Sequence, residues 1–162
     1  RHLVVIPPRC GAQVAELTPH NVKSLYALMM ELYILLGKAV ADSWQTETEL
    51  APFLSIQQRL QDSLQREDID GFVQNSFDIM RAAFPFSDNP YLQETVENLL
   101  PAISRTYHLA LERRKSEMGQ FLNTFAELLQ AIIARDHPRI RQVLLGYGEH
   151  NCQLVLAALA EA

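Results

Sequence analysis

At 162 residues, with a net charge of −5 and only two cysteines, the chain is sized for one domain around one sizeable core. The acidic balance argues against a surface that is itself a nucleic-acid platform, because such surfaces carry a basic excess. No apolar stretch reads as approaching the roughly 20 residues that cross a bilayer, and no signal peptide is visible, so no membrane partner is expected. Cys10 and Cys152 lie near opposite ends without metal-ligand spacing, which fits two free thiols in the reducing cytoplasm.

The chain opens on two short extended runs, residues 3–6 and 12–15, around Pro7, Pro8 and an Arg9-Cys10-Gly11 turn. That pattern predicts a hairpin, which is marginal alone and must lean on something larger. Everything after it has helical period. Thr18-Pro19 is a hydroxyl cap followed by proline at the first helical position, and Val22, Tyr26, Met29, Tyr33, Leu36 and Val40 follow as a stripe to about Asp42. Thr46 and Glu49 have capping-box spacing for a second helix carrying Phe53, Leu60 and Leu64, with Pro52 tolerated in its first turn.

Asp68 or Asp70 opens a third helix with Phe72, Val73, Phe77, Met80 and Phe84 on one face, ended by the Phe-Pro-Phe-Ser-Asp-Asn-Pro run. Asn89-Pro90 repeats the cap-plus-proline signal for a long fourth helix bearing Leu92, Val96, Ile103, Tyr107 and Leu111, which Pro101 is expected to kink. Ser116 is a candidate cap for the fifth helix, with Phe121, Leu122, Phe125, Leu129 and Ile132. The Arg-Asp-His-Pro break precedes a sixth, with Ile140, Leu144, Tyr147, Val155 and Leu159, in which Gly146 and Gly148 are expected to permit close packing. The fold class is therefore all-α: an antiparallel bundle of about six helices, preceded by a short β-hairpin.

The ordered set of segments resembles a known family. The Pro-Pro-Arg-Cys-Gly-Ala-Gln-Val run followed by Leu-Thr-Pro-His-Asn-Val is similar to the junction in GntR-family transcription regulators of the FadR type. There the wing of a winged-helix domain leads into a helical effector-binding (FCD) domain. The stretch from Gly71 through Asn89-Pro90-Tyr91-Leu92, and that from Phe125 through Asp136 to Tyr147, resemble later parts of the same domain. The resemblance implies that residues 1–17 are a wing and linker remnant, and residues 18–162 the helical domain. It implies a homodimer, an operator DNA contacted through a mostly missing N-terminal domain, and a small-molecule effector. Arg9 and Gly11 would lie at the wing turn, where DNA backbone or minor groove is in reach.

Many such domains hold a divalent metal on an Asp or Asn, a His four residues later, and one His from each of the last two helices. Carried over by spacing, with two extra residues before Asn89, these positions are Gln74, Asp78, Phe125 and Tyr147. A carbon ring cannot coordinate, and a lone carboxylate with an amide does not hold a transition metal against water, so neither metal nor other cofactor is expected. A one-turn slip would bring His150 to the place of Tyr147 and still leave the set short. The Arg that meets the effector carboxylate in many relatives, and the Glu four residues after it, appear here as Met29 and Tyr33. These changes imply a greasy cavity lined by Met29, Tyr33, Phe125 and Tyr147, suited to an apolar, aromatic or acyl metabolite.

Polar candidates around that cavity are Gln74, Asp78 and Arg81, Arg105 and His108, and His150 and Asn151. Helical period alone places Asp78 well away from the apolar centre, as part of a solvated face with an ion pair to Arg81. Arg105 and His108 suit either ligand contact or surface. His150 and Asn151 fall on the sixth helix's apolar stripe, where polar groups need partners. Glu149, His150 and Cys152 do not face one another on a helix, and no base, oxyanion hole or phosphate loop is marked, so the chain is not read as an enzyme. The rival reading is a ligand-independent dimerisation bundle whose core is filled by these same side chains.

Overall fold

The computed structural model describes residues 4–5, 13–14 and 16–161, and within residues 16–161 it holds six α-helices. They are α1 Pro19–Ser43, α2 Ala51–Gln65, α3 Ile69–Ser87, α4 Pro90–Arg113, α5 Glu117–Ile133 and α6 His137–Ala160, with a 3-10 turn at Glu47–Leu50 ahead of α2. Ahead of the bundle, Val4–Val5 and Gln13–Val14 pair antiparallel. Two residue pairs do not amount to the β-hairpin expected from the sequence. The turn between them, with Arg9, Cys10 and Gly11, lies outside the described residues.

Four helices start on side chains that accept from an otherwise orphaned backbone N–H. Thr18 Oγ1 accepts from Asn21 N at 3.1 Å, Asp68 Oδ1 from Gly71 N at 3.0 Å, Asn89 Oδ1 from Leu92 N at 3.1 Å and Asp136 Oδ1 from Arg139 N at 3.1 Å. The expected capping box at Thr46 does not close. Its hydroxyl pairs with Thr48 at 2.9 Å, and Glu49 accepts from Gln45 N at 3.2 Å, because a 3-10 turn intervenes before α2. Ser116 likewise makes no side-chain cap.

Three helix ends are turned by non-glycine residues in the left-handed region, one of them Asp88 (φ 45°) after α3. Glu67 (φ 53°) follows α2 and Arg135 (φ 54°) follows α5. In these last two cases the next amide reaches back to the helix, Asp68 N to Ser63 O and Asp136 N to Ala131 O, both at 2.9 Å. Arg135 is also held by its side chain. Its guanidinium lies 4.3 Å over the Trp44 ring and donates to the carbonyls of Ala41 and Trp44.

α1 is the central element and packs on α3, α4, α5 and α6, while α2 covers α3 and α5. By length and composition α1 is apolar enough to cross a membrane, contrary to the expectation above. Here its apolar character serves the core: Val22, Tyr26, Met29, Met30, Ile34 and Val40 are all buried within the bundle. Helix α3 continues through Pro85 to Ser87, and α4 is one continuous helix across Pro101. The two glycines of α6 differ: a Cβ on Gly148 would run into Met30 Cγ and Sδ, whereas one on Gly146 meets nothing within 4 Å. Close packing therefore needs Gly148 and not Gly146.

Candidate functional site

The inward faces of α1, α3, α5 and α6 leave a void of about 80 Å³. Its lining includes Tyr33, Leu36, Met80, Phe125, Leu129 and Leu144, and it contains no charged side chain. Adjoining it is a cleft of about 340 Å³ between α4, α5 and α6, with Glu117, Gln120, Glu127, Arg139, Gln142, His150 and Asn151 on its walls. Ser76, Tyr107, Phe121, Thr124 and Tyr147 line both spaces. The site thus has a small apolar pocket beside a larger and more polar cleft, with tyrosines between them.

Those tyrosines come from different helices. Tyr147 of α6 donates to the Tyr107 hydroxyl of α4 at 2.5 Å. Tyr107 stacks on Phe77 at 5.5 Å between centroids, and Phe121 meets Tyr147 edge to face at 5.6 Å. Deeper in the core, Asn151 Nδ2 donates to the Tyr26 hydroxyl at 2.6 Å, and that hydroxyl pairs with the fully buried Thr106 at 2.8 Å. Two polar links therefore join α6 to α4, one directly and one through α1.

Tyr33, only 7 % exposed, is different. Its hydroxyl is buried and falls short of full hydrogen-bond geometry with any described residue. The Tyr107 hydroxyl is close enough to act on it both electrostatically and as a hydrogen-bond acceptor. Burial pushes the hydroxyls of Tyr26, Tyr33 and Tyr147 well above the usual tyrosine range and that of Tyr107 to about 12, so all four are neutral donors at physiological pH.

The sequence-predicted residues divide by place. Tyr33, Phe125 and Tyr147 line the inner void, and Tyr147, His150 and Asn151 line the cleft. Met29 is fully buried in the core and lines neither space. Gln74 is exposed, and Asp78 pairs with Arg59 at 3.0 Å and Arg81 at 2.9 Å on the outer face. On α3 the void is faced by Ser76, Ile79, Met80 and Ala83, and by neither residue of the pair that the resemblance suggested. His108 lies 3.4 Å from Asp70, and His150 lies 2.8 Å from Glu117 at the cleft wall. Arg105 is half-buried and lines neither space.

The donor chemistry does not fit a family-type metal. Ser76, Met80, Phe125 and Tyr147 offer no imidazole or carboxylate, and Asp78 is turned to two guanidiniums. Among the described residues no three His, Cys, Asp or Glu side chains converge. Sequence reasoning missed Ser76, Met80, Tyr107, Phe121 and Thr124 as lining residues. For Tyr107 a signal was present, since a hydroxyl among the aliphatic residues of α4 requires a buried partner.

The bundle is similar to that of several solved regulators. Superposition on McbR/YncC of E. coli gives a TM-score of 0.82 at 18% identity, covering 96% of this chain and 77% of that one. A GntR regulator from Rhodococcus sp. RHA1 gives 0.72 at 17% identity, covering 97% and 74%. A GntR-family regulator from Pseudomonas syringae pv. tomato gives 0.70 at 20% identity, covering 98% and 65%. No curated protein matches the sequence. The sequence itself matches the FCD domain family over residues 24–149, which spans α1 to the middle of α6. This chain belongs to the FCD domain family, the helical domain of GntR-type transcription regulators, which are not enzymes.

Proposed function

We propose that the chain is the effector-binding and dimerisation domain of a cytoplasmic GntR-family DNA-binding regulator, sensing a small apolar, aromatic or acyl metabolite without a bound metal. The observation that carries this reading is the void between α1, α3, α5 and α6, which is walled by apolar and tyrosine side chains with Ser76 and Thr124 and lacks any charge. A metal or a small dicarboxylate placed there would lose hydration with nothing to replace it. An apolar body loses no such hydration.

Effector binding acts by favouring one arrangement of the helices over another, which requires different affinities for the two arrangements. The tyrosine and asparagine links from α6 to α1 and α4 are the polar contacts such a shift would remake. In this reading residues 1–17 are the wing and linker remnant, with Arg9 and Gly11 near DNA, and the domain pairs as a homodimer because operator half-sites mirror two-fold symmetry. Thermal-shift screening against acyl, aromatic and sugar-acid metabolites tests it. A concentration-saturable rise in Tm with an acyl or aromatic compound supports sensing. The modest size of the void favours the rival, a ligand-independent dimerisation bundle, and silence across the panel would establish that rival instead.

A further inference from the structure

The cleft between α4, α5 and α6 has two unlike ends. At one, Glu117 of α5 meets His150 of α6 at 2.8 Å, and one helical turn away on the same faces stand Phe121 and Tyr147, both half-buried. These two rings lie at 77° to each other with centroids 5.6 Å apart, so they form two walls of a corner. Each wall is backed from the core. The buried Phe72 meets Phe121 at 75°, and the buried Tyr107 meets Tyr147 at 84°. All of these side chains line the cleft. The Glu117 side chain is only 20 % exposed, and His150 engages its Oε2 alone. At the other end, about 12 Å along α6 from Tyr147, the cleft is lined by Arg139 and by Glu127 of α5, whose opposite charges offset. The aromatic end holds a carboxylate with its histidine partner, and no arginine or lysine.

We propose that this aromatic corner binds the ammonium group of a small organic cation, with Phe121 and Tyr147 as its walls and Glu117 as its counter-charge. The inference rests on the effector-binding reading above and names the head group of that effector. An aromatic face attracts a cation through the ring quadrupole, and two perpendicular rings offer such faces from two sides. An alkylated ammonium also presents apolar surface to those walls, which a metal ion does not. A carboxylate in the same corner would face Glu117 and the negative ring faces, with the Arg139 guanidinium at the opposite end of the cleft. A neutral head group gains neither attraction. The cleft, about 340 Å³, is at the lower end of the range for small-molecule sites, so the ligand is small. Its apolar remainder lies past Tyr147 toward the inner void, whose lining the cleft shares there.

Three probes of nearly one shape test this on the full chain by ligand-observed NMR titration. They are choline, its neutral analogue with carbon in place of nitrogen, and the tert-butylacetate anion. Choline should bind saturably and about 3- to 30-fold tighter than the neutral alcohol, the span of a cation–π contact from exposed to desolvated. The anion should bind weakest. Phe121→Leu keeps an apolar side chain and removes the ring, and Glu117→Gln keeps the shape and removes the charge. Each should weaken choline binding at least about 3-fold and leave the alcohol unchanged. Retained alcohol affinity and a cooperative melt show that a variant is folded, so misfolding does not explain the loss. Equal or tighter binding of the alcohol or the anion would overturn the ammonium assignment, and so would choline affinity unchanged in either folded variant. Silence of all three probes overturns it as well. The broad metabolite panel then decides separately whether the domain senses anything: a saturable acyl or aromatic hit beside a silent choline keeps the sensing reading and removes only the ammonium.

Discussion

Gly146 and Gly148 lie two residues apart in α6, and the same substitution at each should move stability in opposite directions. At Gly146 an added methyl group meets no atom within 4 Å, so Gly146→Ala collects the helix-propensity difference alone, a gain of about 0.8–1 kcal/mol. At Gly148 the methyl group lands on Met30 Cγ and Sδ, in a side chain that is itself buried at the α1–α6 contact. Overpacking of this kind costs about 1–3 kcal/mol, and the propensity gain offsets only the lower end. The two variants should therefore differ by roughly 1–3 kcal/mol. For a domain of this size 1 kcal/mol moves Tm by about 2–4 °C, so Gly146→Ala should melt above the parent and Gly148→Ala at or below it. Urea unfolding with a shared m-value gives the difference directly. If both variants are stabilised to the same extent, Met30 has room to move, and the account of how α6 seats on α1 is wrong.

Other outcomes follow from the same contacts. Arg135 adopts a left-handed backbone and covers Trp44, the only tryptophan, so Arg135→Ala should lower Tm and change Trp fluorescence. Arg135→Gly should melt roughly 2–8 °C above Arg135→Ala, because glycine adopts that conformation without the cost of about 1–2 kcal/mol. Thr106→Val removes a partner of the Tyr26 hydroxyl and should cost about 1–2 kcal/mol in chemical denaturation, less if Asn151 alone satisfies that hydroxyl. In the alkaline range the folded chain keeps the Tyr107 proton until about pH 12, whereas the unfolded chain releases it near 10. The native state then binds more protons than the unfolded one, so stability should be flat up to about pH 10 and fall between 10 and 12. A stability that rises over that interval would contradict the buried, neutral tyrosine set.

The helices were legible because their signals are local. Thr18, Asp68 and Asn89 cap the helices that their spacing announced, and the stripe of Phe72, Val73, Phe77, Met80 and Phe84 is buried along α3. The inward face of α3 was harder to reach. Counting back from Asn89 picks Gln74 and Asp78, but the number of residues near a helix end varies, and here α3 continues through Pro85 to Ser87. Helical period, which reads geometry directly, placed Asp78 off the apolar centre, where it pairs with Arg59 and Arg81. The tyrosine links were hidden for another reason. Tyr26 and Thr106 are 80 positions apart and Tyr26 and Asn151 are 125 apart, so no local pattern joins them. Gly146 and Gly148 are indistinguishable in the sequence, and only the approach of α1 separates them.

The central claim is that an accessible apolar hollow lies beneath the Tyr107–Tyr147 pair. Diffraction from crystals pressurised with xenon tests it most directly, since that atom enters dry apolar voids and avoids filled cores. A xenon peak bounded by Tyr33, Phe125 and Leu144, with Tyr107 and Tyr147 at its outer side, is the predicted result. Unchanged density there, with those side chains in mutual contact, would leave the bundle with no chamber for an effector.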